Sequence, residues 1–163
     1  MSGRGTPATL LLAREGVQHV VHAYVVDPAA RFYGEAAAAA LGIEPERMLK
    51  TLLAEVAFPD GPARLVCGVV PVSGALDLKA LAAAVGGRRG VMAEPAAAER
   101  STGYVVGGIS PLGQRTRLPT VVDETAQLYD TVFVSAGRRG LSVELAPAEL
   151  LRLTGAVLAD LAR

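Results

Sequence analysis

An apolar run over residues 51–58, the group Pro59-Asp60-Gly61-Pro62 and a second apolar run over residues 64–70 together predict a β-hairpin. Proline and glycine serve a reversal far better than a central strand, so the two runs must turn back on one another there. Around this hairpin the chain is cut into short pieces. Thr6 or Thr9 is placed to cap a helix over residues 9–15 that Gly16 ends. Residues 17–26 are rich in β-branched side chains and predict a strand, broken by Asp27-Pro28. Residues 34–41 predict an alanine-rich helix stopped by Gly42, and Pro45 opens a short helical turn that carries residues 47–49. Asp77 caps a helix over residues 78–85, Gly86-Gly87 stop it, and residues 94–100 predict another short helix. Residues 104–106 predict the start of a strand running into Gly107-Gly108-Ile109-Ser110-Pro111-Leu112-Gly113. Residues 120–123, 131–135 and 141–145 predict further strands, with a turn at Arg138-Arg139-Gly140. Pro147 opens a last helix that Gly155 interrupts before residues 156–161. Hairpins with interspersed helices predict an α+β fold rather than a doubly wound parallel sheet. A length of 163 residues predicts one domain over residues 1–163.

Composition removes several classes of function. With four Tyr, three Phe and no Trp, the chain cannot stack many bases on aromatic rings. Sixteen basic and sixteen acidic residues leave no net charge, which excludes coating a long stretch of phosphate. Locally the balance differs. From Lys79 to Arg117 six bases (Lys79, Arg88, Arg89, Arg100, Arg115 and Arg117) meet two acids, Glu94 and Glu99. Such a patch is either a solvated face or a grip for a short anion such as the end of an RNA. The single cysteine, Cys67, has no internal disulfide partner, and two histidines do not complete a zinc site. The opening MSGRGTPATLLL has no secretory-signal pattern, and no apolar run nears the ~20 residues that span a bilayer. A cytoplasmic protein without membrane contact is expected, working as a monomer.

The candidates for chemistry are few. Gly108 to Gly113 have the outer spacing of a P-loop, but Gln114-Arg115 stand where Lys and a hydroxyl residue are required, which excludes ATP binding of that kind. Gly107 and Gly108, expected at a strand end, form either a tight turn or a pair of bare N–H groups for a developing oxyanion. Fourteen of the sixteen bases are Arg, so Lys50 stands out as a compact, rotatable ammonium; a helix-end surface lysine is the other reading. His19 and His22 sit three apart, on opposite faces of a strand. Cys67 lies in an apolar run as a small core residue. No serine or cysteine has a base nearby in sequence, so no protein nucleophile declares itself.

Met48-Leu49-Lys50-Thr51-Leu52-Leu53, then Pro71-Val72-Ser73-Gly74-Ala75-Leu76-Asp77-Leu78-Lys79, resemble the YbaK branch of the aminoacyl-tRNA deacylases. Arg100-Ser101-Thr102-Gly103-Tyr104-Val105-Val106 and the glycine segment that follows are the strongest match. Arg117-Leu118-Pro119-Thr120 and Val134-Ser135-Ala136-Gly137-Arg138-Arg139-Gly140-Leu141 continue it in order. The resemblance implies a mixed, partly barrel-like sheet surrounded by helices, as in editing domains inserted in some prolyl-tRNA synthetases. It implies hydrolysis of the ester joining a cysteine to tRNA(Pro), with the tRNA acceptor end as partner, prolyl-tRNA synthetase as a candidate second partner, and neither metal nor cofactor. The pocket residues it implies are Lys50, Gly107 and Gly108 for catalysis, and Tyr24, Tyr33, Ile109 and Ser135 for substrate binding. At Tyr33 relatives commonly carry Phe, and Ser142 stands where an acidic residue is expected. The resemblance also assigns the attack to the substrate's own thiol, giving a thiolactone and free tRNA, with Lys50 as anchor. A sister specificity such as Ala-tRNA(Pro), and a non-catalytic tRNA- or synthetase-binding module, are the alternatives.

Overall fold

The computed structural model describes residues 5–163; Met1 to Arg4, part of the start read above for a signal, lie outside the described residues. In chain order these residues form α1 (Pro7–Arg14), β1 (His19–Ala23), α2 (Tyr33–Leu41), a 3-10 turn (Pro45–Arg47), β2 (Leu49–Phe58) and β3 (Gly61–Pro71). There follow α3 (Leu78–Ala84), β4 (Arg89–Met92), α4 (Pro95–Thr102), β5 (Thr120–Asp123) and a second 3-10 turn (Glu124–Leu128). The chain then makes β6 (Val132–Arg138), β7 (Leu141–Leu145), α5 (Pro147–Thr154) and β8 (Val157–Ala159). Prolines open α1, α4 and α5, where the missing N–H costs no intrahelical bond. Thr6 is the cap of α1: its hydroxyl accepts from Thr9 N–H at 3.1 Å, and Thr9 Oγ1 accepts from Thr6 N–H at 2.8 Å. Asp77 caps α3 through Ala80 N–H, as predicted.

The hairpin forms, with a tighter turn than expected. Phe58 pairs with Gly61, so only Pro59 and Asp60 lie in the reversal. It is the centre of a five-stranded mixed sheet ordered β4-β2-β3-β5-β8, in which β3, β5 and β8 run parallel. A three-stranded antiparallel sheet, β1-β7-β6, lies beside it, and the two meet at a parallel bridge between Met48 and Phe133. This seam gives the partly barrel-like α+β architecture. The 66–70 run is apolar throughout because both faces of β3 are covered. Val66 and Val70 pack with Leu81 and Ala82 of α3, while Cys67 and Val69 pack with Leu49, Val134 and Val143.

Several expectations fail for physical reasons. Residues 104–106 are no strand: Tyr104 is buried with its hydroxyl donating to Leu112 O at 2.6 Å, and Val106 N–H donates to the Glu99 carboxylate. Gly107 and Gly108 therefore sit in a loop after α4, not at a strand end. Residues 156–161 are not helical, because Gly155 closes α5 and Val157–Ala159 joins β5 in parallel. The Asp123 carboxylate accepts N–H bonds from Leu161 and Ala162, and Ala75 and Arg163 exchange backbone bonds, which sew the last residues into the sheet. The first strand is shorter than 17–26, β4 has no counterpart in the sequence reading, and β6 runs past Ser135 to Arg138. No helix among the described residues is long and apolar enough to cross a membrane.

Candidate active site

Between the start of β2, the N-terminus of α2, the loop after α4 and the open face of β6 and β7 lies a cleft of about 340 Å³. Tyr24, Tyr33, Lys50, Gly107, Ile109 and Ser135, all anticipated, line it. Gly108 does not. It is buried behind Gly107, its N–H donates to Val105 O at 2.8 Å, and a Cβ there would lie 2.7 Å from Arg138 Cα. The expected pair of oxyanion donors thus reduces to Gly107, whose N–H has no hydrogen-bond partner among the described residues. Gly107 holds φ +96°, a conformation that disfavours any side chain, and a Cβ there would fall 2.4 Å from Arg139 Nε and displace the far end of that side chain.

Lys50 stands one position inside β2, opposite Val70, rather than ahead of the strand. It is half-buried and has no ion pair among the described residues. The 3-10 turn leading to it is pinned by Arg47, which lies over the Phe133 ring, donates to Thr131 Oγ1 at 2.7 Å and faces Glu144 at 3.6 Å. Glu144 also takes His22 Nε2 at 2.9 Å and the Thr131 hydroxyl. Donation from Thr131, then from His22, holds its carboxyl below the ordinary range. His19 instead contacts Val17 O, so the two histidines share no site.

On the opposite side polar groups bind one another. Gly140 N–H donates to the Tyr33 hydroxyl at 2.9 Å, and that hydroxyl meets the Tyr24 hydroxyl at 3.1 Å. The Tyr33 phenol thus ties the β6–β7 turn to the cleft. Burial, then the bond to Tyr33, pushes the Tyr24 phenol up to about 12, so it stays neutral and serves as a hydrogen-bond partner. Ser135 donates to Gly108 O at 3.2 Å and accepts from Gly137 N–H at 3.1 Å, fastening the glycine loop to a bulge in β6. Ser142 is buried and lines the cleft; it pairs with Ser135 on one side and His22 on the other. Glu144, two residues on, is occupied by the Arg47 network, so no carboxylate replaces the acid expected at 142.

Two features escaped the sequence reading. Thr51 lines the cleft, and its Oγ1 is the buried side-chain oxygen without a hydrogen-bond partner among the described residues. Its only signal was adjacency to Lys50. Arg139 lies over the Tyr33 ring, 4.6 Å from its centroid, where the sequence marks only a turn inside the matched run 134–141. Cys67 offers no nucleophile: it is fully buried, and burial pushes its thiol up to about 12.

Fold and cleft agree with the relatives of this chain. The aminoacyl-tRNA editing domain family matches residues 27–153. EbsC of Enterococcus faecalis, a candidate Cys-tRNA(Pro)/Cys-tRNA(Cys) deacylase, is 42% identical over 127 residues, covering 78% of this chain and 75% of EbsC. The Escherichia coli multifunctional Ser/Thr-tRNA deacylase ProXp-y is 32% identical over 95 residues, covering 58% of this chain and 57% of that one. A crystal structure of a candidate trans-editing enzyme for prolyl-tRNA synthetase superposes with a TM-score of 0.77 at 30% identity, covering 96% of this chain and 95% of the other. This chain belongs to the aminoacyl-tRNA editing domain family, and with it to the deacylase enzymes that its sequence resembles.

Proposed function

We propose that this protein releases cysteine from Cys-tRNA(Pro), and in the same manner from Cys-tRNA(Cys), by letting the substrate's thiol attack its own ester. The observation that supports this reading is a small cleft in which no serine or cysteine among the described residues is paired with a base: Cys67 is sealed in the core, the Ser135 hydroxyl proton is given to Gly108 O, and Ser142 bonds the Tyr24 phenol. In the proposed step the cysteine sulfur bonds to the ester carbonyl carbon. The bond from that carbon to the ribose oxygen breaks, and the thiol proton ends on the ribose hydroxyl. Water then opens the thiolactone to free cysteine. Lys50 anchors polar groups of the acceptor end, and Gly107 N–H receives the developing oxyanion. Tyr24, Tyr33, Ile109 and Ser135 shape the binding site. The reading places the enzyme in the cytoplasm as a monomer, with prolyl-tRNA synthetase as a candidate partner.

Single-turnover assays with Cys-, Ser- and Ala-tRNA(Pro) test it. A tethered thiol gains an intramolecular advantage that a hydroxyl, scarcely ionised near neutral pH, does not share. Cysteine is expected to leave at least about 100-fold faster than serine or alanine, with a trappable thiolactone. Equal rates for cysteine and serine would replace the thiol with an activated water. A second reading, hydrolysis of a hydroxyl amino acid ester, is favoured by the 32% identity to the Ser/Thr-tRNA deacylase; the serine arm of the same assay decides it.

A further inference from the structure

Behind the glycine loop lies a second groove of about 310 Å³, which the proposed chemistry does not use. Tyr104, Val105, Val106, Gly108, Arg138 and Arg139 line it, and Val106 is common to it and the cleft. The two hollows are neighbours across a wall two glycines thick: Gly107 borders the cleft and Gly108 the groove.

The charge around this groove is lopsided. Arg138 and Arg139 project exposed from the β6–β7 turn. At the other end, Arg115 reaches within 3.5 Å of where a Cβ of Gly103, another lining residue, would stand. None of the three guanidinium groups has an ion-pair partner among the described residues. The Glu99 carboxylate nearby is bound to Val106 N–H. Arg139 also marks the passage between the hollows, since its guanidinium lies over Tyr33 of the cleft and against Gly107. Val105 is 71% exposed and forms an apolar pad on the groove wall.

We infer that this groove holds the single-stranded RNA immediately upstream of the terminal nucleoside, with Arg138, Arg139 and Arg115 on its phosphates. The inference rests on the proposed function, which puts an aminoacylated nucleoside in the cleft. Whatever is covalently joined to that nucleoside must leave through a neighbouring opening, and this one presents unpaired guanidinium forks. Guanidinium matches phosphate oxygens in pairs, and an apolar pad suits a base or ribose face.

The test needs no ester and no turnover. A four-nucleotide RNA, ACCA, is titrated against the wild-type protein, the double variant Arg138→Gln/Arg139→Gln, Arg115→Gln and Arg64→Gln, between 50 and 200 mM salt. Arg64 is exposed and stacks on Phe58, away from both hollows, so it controls for bulk charge. On single strands each lost phosphate contact lowers the slope of log Kd against log salt by about 0.7. The double variant is expected to lose about 1.4 of slope and bind at least about tenfold more weakly at low salt; Arg115→Gln loses about half as much slope, and Arg64→Gln none. With charged tRNA, the double variant is expected to raise KM far more than it lowers kcat. An unchanged slope in the double and Arg115 variants, an equal loss in Arg64→Gln, or no wild-type binding of ACCA overturns the groove assignment. A wild type that binds ACCA with this slope yet cleaves no charged tRNA would instead overturn the proposed function and leave the groove standing.

Discussion

Along β2, among the described residues, Lys50 has no ion pair and the Thr51 hydroxyl is buried without a partner, whereas across the cleft the side-chain hydroxyls of Tyr24, Tyr33 and Ser135 are all engaged. Tyr24, Tyr33 and Gly140 N–H form one chain, and Ser135, Gly108 and Gly137 form another. The difference separates two jobs. A wall whose polar groups satisfy each other holds a shape and has little left to offer a ligand. A wall with unmet hydrogen-bonding capacity costs stability in the free protein and recovers it when a polar substrate arrives. Substitutions at Lys50 are therefore expected to act on turnover and those at Tyr33 and Ser135 on geometry and stability, while Gly107, whose N–H has no partner among the described residues, acts on both.

Lys50→Ala is the strongest probe of this contrast. It is expected to reduce deacylation of Cys-tRNA(Pro) by about 100-fold or more, with a thermal midpoint within about 2 °C of wild type. Lys50→Arg should fail almost as badly, because a planar fork does not replace a compact ammonium. A folded Lys50→Ala enzyme at full speed would dissolve the distinction between the walls.

Gly107→Ala, at the one backbone donor assigned to the reaction, should lower both quantities. The strained φ of +96° and the contact with Arg139 predict a loss of about 1–3 kcal/mol in denaturant unfolding. Displacement of the loop predicts a fall in turnover of about ten- to a hundredfold.

Thr51→Val separates stability from turnover. Removing a buried, unpartnered hydroxyl while keeping the shape should raise the unfolding free energy by about 1 kcal/mol. Because this oxygen is sealed from solvent, the same change should leave kcat/KM within about threefold of wild type. Loss of stability would mean that the hydroxyl is satisfied in the free protein. Tyr33→Phe should give a similarly small effect, a loss of about 0.5–1.5 kcal/mol of stability from the lost Gly140 contact and turnover within about threefold of wild type.

The sequence was legible where local chemistry decides structure. The Pro59 turn, the Asp77 cap, the Gly42 stop and the alternating 141–145 strand needed no distant partner to be read. Residues 104–106 misled because two valines in a row carry a strand signal, yet Val106 N–H goes to Glu99 and Tyr104 is buried by a contact eight residues away. Residues 156–161 misled because their partner, β5, lies over thirty residues upstream. The site was legible through resemblance more than through spacing: Tyr24, Lys50, Gly107 and Ser135 meet only because four separate segments converge. Thr51 left no mark, since an orphaned hydroxyl is a property of its surroundings. Gly108 looked identical to Gly107 in sequence, and only its packing on Arg138, its bond to Val105 O and its burial distinguish it.

The stitching of the final residues makes the order of synthesis and the order of assembly run against each other. The edge of β5 is covered by Val157–Ala159, and the Asp123 carboxylate waits for the N–H groups of Leu161 and Ala162. Until those residues have left the ribosome, the hairpin that carries Lys50 can form while its sheet lacks an outer strand. Such distant pairings are slow to close. An emerging chain therefore passes through a stage in which the catalytic strand exists but the valines of β5, Val121 and Val122, present a bare edge that other chains can join.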